Sequence, residues 1–177
     1  VTWLASKSEL HLRLRPGTDA ALALGMMKVI IEEDLYDHEF VDNWCYGFDE
    51  LAERAKEFDV KRVSEITWVP EEKIIAAARM LGNAKNSTLQ WGVAVDMTRE
   101  AMPAGQAILA LWEITGNMER PGGMIVAPEI LSVAGGWGRE ILGPEQEAKR
   151  IGIKDYPLYN FGFALSQPDE TVKTIET

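Results

Sequence analysis

The chain has 177 residues, 46% of them apolar, a formal net charge of −10 and one cysteine, Cys45. This length allows one domain with a sizeable core, and the acidic balance disfavours nucleic acid or an anionic membrane as partner, because phosphate binding needs clustered lysine and arginine. A lone cysteine excludes an internal disulfide, a cysteine-bound iron–sulfur cluster and a structural zinc site within the chain. The longest apolar run is also too short for a membrane span, which needs about 18 residues.

The hydrophobic period changes within residues 10–31. Leucine alternates with histidine or arginine over residues 10–15, which predicts a strand with one buried face. Residues 20–31 carry one charge and are too long for an ordinary strand, so they predict a helix buried on most sides. Between the two segments, Pro16 ends the strand and Gly17 permits a positive φ. The sequence therefore predicts a strand, a tight turn and a helix N-terminus.

Two interpretations of this turn remain open. Thr18 or Asp19 could simply cap the helix, which is a common role for these residues. Alternatively the turn could bind a ligand, because open α/β sheets bind ligands where strands end and helices begin. A phosphate would be repelled by the carboxylate of Asp19, whereas the N1–H and N2–H₂ donors of guanine match its two acceptor oxygens. Guanine is thus the candidate ligand.

Several amphipathic helices are predicted after this point. Asp37 caps a helix that ends at Trp44 and buries Phe40, Val41 and Trp44. The remaining helices cover residues 49–58, residues 60–67 with Val63 and Ile66 inward, a segment from Val69-Pro70 to Leu81 with Gly82 as its C-terminal cap, and a segment with Pro103 in its first turn that ends at residues 115–117.

A second strand is predicted over residues 88–92, leading into a loop at residues 93–96 that forms a second ligand edge. Nine of the fifteen glycines and five of the eight prolines follow Thr115, which is typical of irregular structure. We therefore predict an α/β fold that is mostly helical with a small parallel sheet. Residues 1–125 are expected to form a partial dinucleotide-binding-like domain, and residues 126–177 an irregular connecting segment rich in glycine and proline.

Several blocks of the sequence carry a family resemblance. They are residues 15–25 (RPGTDAALALG), 33–41 (EDLYDHEFV), 46–51 (YGFDEL), 91–96 (WGVAVD) and 107–111 (AILAL), followed by Gly116-Asn117 and Pro121-Gly122-Gly123. In this order and at about this spacing they resemble the large catalytic subunit of molybdopterin oxidoreductases of the dimethyl-sulfoxide-reductase type. The resemblance covers about residues 8–125 well and the tail loosely.

The resemblance implies a specific cofactor. Enzymes of this family bind two molybdopterin guanine dinucleotides around one molybdenum or tungsten ion. By match, Gly17, Thr18 and Asp19 would contact the nucleotide end of one of them. Trp91, Gly92 and Asp96 would lie in the second cofactor loop, where several family members have a polar residue, often glutamine.

The resemblance also implies what the chain lacks. The metal-ligating residue and any iron–sulfur cysteines would lie upstream of Val1, so the chain is expected to be an internal fragment, inactive alone. Its partners would be the remainder of the catalytic subunit and an iron–sulfur electron-transfer subunit. No catalytic residue or metal ligand is predicted within it, because no carboxylate pair lies near a histidine, lysine or serine in a catalytic pattern.

The sequence leaves two alternative functions open. One is a helical protein-interaction domain, and the other is a guanine-nucleotide binding module without a metal, which would need phosphate-binding glycines followed by a lysine. The sequence does not predict the substrate, the choice between molybdenum and tungsten, the oligomeric state or the compartment, which could be cytoplasmic or periplasmic.

Overall fold

The computed structural model describes residues 2–90, 92–125 and 143–149. The chain divides into two compact units, Val1–Val126 and Ala127–Thr177. The described residues are mostly helical. Their helices are α1 (Trp3–Lys7), α2 (Asp19–Glu32), α3 (His38–Trp44), α4 (Phe48–Lys56), α5 (Val60–Thr67), α6 (Glu71–Gly82), α7 (Val93–Asp96), α8 (Ala101–Ile114) and, in the second unit, α9 (Pro144–Ala148).

Helix α2 lies at the centre of the first unit. It packs against α4, α5, α6 and α8, and Met27 and Ile30 on it are completely buried. Gly25 allows α5 to approach closely, since a Cβ at this position would lie 2.7 Å from Cγ2 of Val63. The prediction of a helix buried on most sides is confirmed.

Helix boundaries follow local signals. Asp37 caps α3, because its Oδ1 accepts a hydrogen bond from the N–H of Phe40 at 2.9 Å. Pro70 stands at the N-cap of α6, and Pro103 lies in the first turn of α8, as predicted. The predicted role of Gly82 is wrong, because α6 continues through Gly82 and Asn83 is the C-cap. Gly82 instead makes room for Leu35, whose Cβ would lie 2.7 Å from an added Cβ.

The predicted parallel sheet is not formed by the described residues. Residues 11–14 have no regular secondary structure. The three leucines of residues 10–14 pack on the core while His11 and Arg13 are exposed, so the prediction of one buried face is correct. They pair with no strand of the described part, where the only β pairing is an isolated parallel bridge between Met118 and Met124. Residues 88–90 are likewise unpaired. A strand forms only when a neighbouring strand supplies its hydrogen bonds, and the described residues provide none for this segment.

Two further predictions differ from the structure. Val41 is buried as expected, but Trp44, predicted in the same buried stripe, is 78% exposed. Helical spacing identifies an apolar face without identifying what covers it. Residues 93–96 form one helical turn, α7, rather than a loop. None of the helices in the described ranges has the length and apolarity that crossing a membrane requires.

Candidate functional site

The turn before α2 is held by backbone hydrogen bonds to α5 and within itself. The N–H of Arg15 donates to the carbonyl of Thr67 at 2.8 Å, and the N–H of Thr18 donates to the carbonyl of Arg15 at 3.3 Å. Gly17 has a φ of 77° and occupies the left-handed region that glycine tolerates. The Arg15 guanidinium lies 5.4 Å from the ring centroid of Trp68, a cation–π contact. The turn is therefore fixed to the C-terminal end of α5.

Thr18 occupies the N-cap position of α2 without capping it. Its hydroxyl donates to the carbonyl of Arg15 at 2.6 Å, and no side chain accepts a hydrogen bond from the first turn of the helix. Within the described residues, the N–H groups of Asp19, Ala20 and Ala21 have no acceptor, and the first bond of the helix is donated by Leu22 to Thr18. The expectation that Thr18 or Asp19 caps α2 is wrong in this structure.

Asp19 is the first residue of α2 and is half-buried. Its carboxylate makes no hydrogen bond or ion pair with any residue in the described ranges. A negative charge in the first turn interacts favourably with the helix dipole, but this interaction does not satisfy the hydrogen-bonding capacity of the carboxylate oxygens. The result is a pair of acceptor oxygens beside three donor N–H groups.

The second predicted group lies at the start of α7. Gly92 is exposed and precedes the helix with φ −101° and ψ 166°, and an added Cβ there would meet nothing within 4 Å. Asp96 is the last residue of α7 and is exposed. Trp91 lies outside the described residues. The segment is open to an approaching ligand.

The two groups are carried by different helices that share a neighbour. Both α2 and α7 pack on α8, whereas α2 and α7 are not among the helix pairs that pack extensively in the described part of the chain. The structure therefore brings Gly17, Thr18 and Asp19 together in one turn, and Gly92 and Asp96 together in another.

Asn117 supports the second group and was predicted only as part of a turn. It is completely buried, and its Oδ1 accepts a hydrogen bond from the N–H of Ser87 at 2.7 Å. Its Nδ2 donates to Oγ1 of Thr115 at 2.9 Å. The amide thereby ties the beginning of the segment that leads to Gly92 to the end of α8. A Gly-Asn pair at a helix end was the only signal of this role in the sequence.

Two cavities lie away from both predicted groups. One of about 380 Å³ is lined by residues from α3, α4, α8 and the turns that join them, among them Cys45 and Glu113. One of about 530 Å³ lies beside it and is lined by residues of α3 and of the turn after α8. Burial, together with the charge of Glu113, raises the pKa of the Cys45 thiol above its usual value. A thiol with a raised pKa is a poor nucleophile and metal ligand.

No group of three or more histidine, cysteine, aspartate or glutamate side chains in the described ranges is arranged to hold a metal ion. One ion pair there is bidentate and joins two helices: Arg79 on α6 donates two hydrogen bonds of 2.8 Å to Glu33 at the end of α2. This guanidinium lowers the pKa of the Glu33 carboxyl.

Comparisons with known proteins identify relatives along nearly the whole chain. No protein-family model matches. The chain is 37% identical over 175 residues to the acetylene hydratase of Syntrophotalea acetylenica, a match that covers 97% of this chain and 24% of that protein. It is 32% identical over 121 residues to the F420-dependent formate dehydrogenase 2 subunit alpha of Methanococcus maripaludis, covering 68% of this chain and 18% of that subunit.

The fold agrees with a solved relative. The acetylene hydratase from Pelobacter acetylenicus superimposes with a TM-score of 0.71 at 36% identity, over 89% of this chain and 22% of that one. The chain thus spans about a quarter or less of the length of the relatives that it matches. By these matches the chain belongs to the molybdopterin oxidoreductases of the dimethyl-sulfoxide-reductase type, the family that its sequence blocks resemble.

Proposed function

We propose that this chain is an internal part of the catalytic subunit of a molybdenum- or tungsten-dependent oxidoreductase and forms part of the wall that holds the guanine end of a molybdopterin guanine dinucleotide. The observation that carries the proposal is the match to acetylene hydratase, which covers 97% of this chain but 24% of the relative. On this view the chain binds and orients cofactor and is inactive alone. The metal ion supplies the transfer of oxygen atoms or electron pairs when it is bound.

The turn before α2 fits guanine by its donors and acceptors. The Asp19 carboxylate, which has no partner in the described residues, would accept hydrogen bonds from N1–H and N2–H₂ of the base. The unpaired N–H groups at residues 19–21 would donate to its O6. Gly17 adds access, because an added Cβ there would meet nothing within 4 Å. Thr18 would contribute by fixing the shape of the turn, since both its N–H and its hydroxyl donate to the carbonyl of Arg15.

The segment before α8 would supply the second contact. Gly92 presents an open backbone and Asp96 an exposed carboxylate. With Trp91, they match the family's second cofactor loop. Asn117 would hold this segment in place through its bond to Ser87. The residues that ligate the metal, and any iron–sulfur cluster, would come from other parts of the subunit.

We also propose that the two predicted strand segments, residues 10–15 and residues 88–92, take part in a small parallel sheet in the whole subunit. Residues 10–14 already present an inward leucine face, and among them the only bond to the rest of the described chain is donated by Lys73 Nζ to the carbonyl of His11 at 3.3 Å. Unpaired backbone groups beside a buried apolar face favour addition of a neighbouring strand. Residues 1–125 would then form part of an α/β cofactor-binding domain, and residues 126–177 a connecting segment.

The identity of the substrate does not follow from family membership. The relatives include both a hydratase and formate dehydrogenases, so we propose that the substrate depends on groups around the metal. One of these formate dehydrogenase relatives is a subunit alpha, which implies an enzyme with further subunits. We propose the remainder of the catalytic subunit as the principal partner of this chain and an iron–sulfur electron-transfer subunit as a second one.

Metal and pterin analysis tests the proposal. The chain is expressed together with its native upstream and downstream sequence, and the 177-residue chain alone serves as the control. We expect about one molybdenum or tungsten ion, with guanine dinucleotide, for each longer chain, and none on the control. A longer chain that folds and carries neither would overturn the proposal.

A further inference from the structure

The two cavities beside α3 adjoin each other and are taken together as one groove. They share three lining residues, Phe40, Trp44 and Met118. We call this the α3–α8 groove, because α3 forms one wall while the end of α8 and the turn after it form the other. Its position on the described part of the first unit is separate from Asp19 and Gly92, neither of which lines it.

Two aromatic side chains at this groove are left uncovered by the residues that the structure describes. Trp44 is 78% exposed and Tyr46 is completely exposed, although both lie next to the buried Val41 and the half-buried Phe48. Large aromatic side chains in contiguous exposed patches are typical of interaction sites, because removing them from water is favourable. The groove therefore has the composition of the centre of an interface rather than of a solvated surface.

The rim of the groove is negatively charged. Glu39 is exposed and Glu113 is half-buried, and neither makes an ion pair with a residue in the described ranges. Arg120 is the only basic residue among those that line either cavity, and it is engaged by the carbonyl of Gly116 at 2.9 Å and by Asp37 at 3.9 Å. The potential of Glu113 is felt within the groove, where it adds to burial in raising the pKa of Cys45. A complementary partner would be basic at its edges.

The relatives indicate where such a partner comes from. The acetylene hydratase match leaves 76% of that protein's length outside the region that corresponds to this chain, and the match nevertheless covers 97% of this chain. If the chain is part of a larger catalytic subunit, as proposed above, most of the polypeptide available to cover this groove belongs to the same subunit.

We propose that the α3–α8 groove docks another segment of the same catalytic subunit, one that places an apolar side chain against Trp44 and Tyr46 and a lysine or arginine beside Glu39 and Glu113. The apolar side chain fills the aromatic centre, and the basic side chains neutralise carboxylates that have no partner in the described residues. The groove is thus an interface between two parts of the same catalytic subunit.

Residue-resolved hydroxyl-radical footprinting tests the docking. Oxidation of Trp44 and Tyr46 is measured by mass spectrometry in the 177-residue chain and in the complete subunit. We expect the rate at both residues to fall at least tenfold in the complete subunit. Unchanged rates would overturn the proposal. Protection that appears only when a separate subunit is added, or that depends on the concentration of the 177-residue chain alone, would assign the groove to that subunit or to a second copy, and would also overturn it.

Zero-length carbodiimide cross-linking tests the charge of the partner. In the complete subunit we expect Glu39 and Glu113 to join to a lysine of the same polypeptide outside residues 1–177. Glu39→Lys should abolish its cross-link and restore Trp44 oxidation at least threefold, whereas Glu65→Lys, an exposed site on α5 outside the groove, should change neither. A groove that stays protected and insensitive to Glu39→Lys would overturn the basic partner.

The outcome is independent of the cofactor proposal. A complete subunit that carries metal and guanine dinucleotide while Trp44 remains exposed would overturn the docking and leave the proposed function intact. A subunit without cofactor in which Trp44 is protected would do the reverse.

Discussion

Replacing Asp19 by alanine separates a structural from a ligand-binding role for this carboxylate. No described group hydrogen-bonds it, so its contribution to folding is limited to the helix dipole, about 0.3–1 kcal/mol. Asp59 is the matched control, because its Oδ1 accepts a hydrogen bond from the N–H of Arg62 at 3.0 Å. Losing such a cap costs about 1 kcal/mol, within a range of about 0.5–2. Urea denaturation should therefore show a smaller loss for Asp19→Ala than for Asp59→Ala.

The same change should have a large effect on guanine binding. Two charge-assisted hydrogen bonds, each contributing about 1.5–3 kcal/mol, would join the carboxylate to the base. Even a net loss of about 2 kcal/mol corresponds to roughly a 30-fold increase in Kd. Inosine monophosphate lacks the N2 amine, so it should bind the wild-type site about tenfold more weakly than guanosine monophosphate and lose less on Asp19→Ala.

Isothermal titration of the complete, cofactor-free subunit with the two nucleotides measures this discrimination. Asp19→Asn serves as a second variant, because it keeps the shape of the side chain but removes the charge and replaces one of the two acceptor oxygens by an NH2 donor. We expect both variants to bind the two nucleotides almost equally. A wild-type subunit that does not prefer guanosine monophosphate, or a variant that retains the preference, would refute the assignment of Asp19 to guanine.

Three further predictions concern the fold around the sites. Gly25→Ala would place a Cβ 2.7 Å from a side chain of α5 and should lower the free energy of unfolding by about 1–3 kcal/mol in urea, and an unchanged value would contradict this packing. Asn117→Ala leaves the half-buried N–H of Ser87 without its acceptor, so we expect a loss of about 1–3 kcal/mol and faster amide exchange at that N–H, while unchanged exchange would exclude the tether. The raised pKa of Cys45 should slow its alkylation at pH 8 relative to the unfolded chain, and Glu113→Gln should accelerate it. Because folding raises the pKa of the Cys45 thiol, the contribution of this thiol to stability is complete below its pKa in the unfolded chain, about 8.5. That contribution is lost as the pH rises through the pKa of the thiol in the folded chain. A contribution of Cys45 that increases above about pH 8.5 would contradict the shift.

Local chemistry was sufficient to predict six helices of the described residues, α2 to α6 and α8, but not α1, α7 or α9. Asp37 caps α3, and Pro70 and Pro103 lie at or near the first positions of α6 and α8, because each of these effects acts within one turn. The long apolar run of α2 likewise identified the central helix, since a helix that is apolar on nearly all sides must be buried by neighbouring helices. These elements depend on few residues outside themselves.

Predictions that depended on a distant partner were less successful. Residues 10–14 have the alternation of a strand, and their leucines do face the core, but strand pairing requires a neighbour that the described residues do not supply. Trp44 has helical spacing with Val41, yet the face on which it lies is uncovered. Periodicity reports which side of an element is apolar and carries no information about what covers it.

The candidate guanine site shows the same limit at the level of single atoms. The sequence pattern placed Asp19 at the start of a helix, where its charge disfavours a bound phosphate. It did not predict that the Thr18 hydroxyl would donate to Arg15 and so leave the first N–H groups of α2 without an acceptor. That detail strengthens the argument for guanine, because three free donors alone would attract an anion, whereas donors beside a carboxylate match a neutral base edge that carries both an acceptor and two donors. The rotamer of one threonine thus determines whether the helix end is capped or open to a ligand.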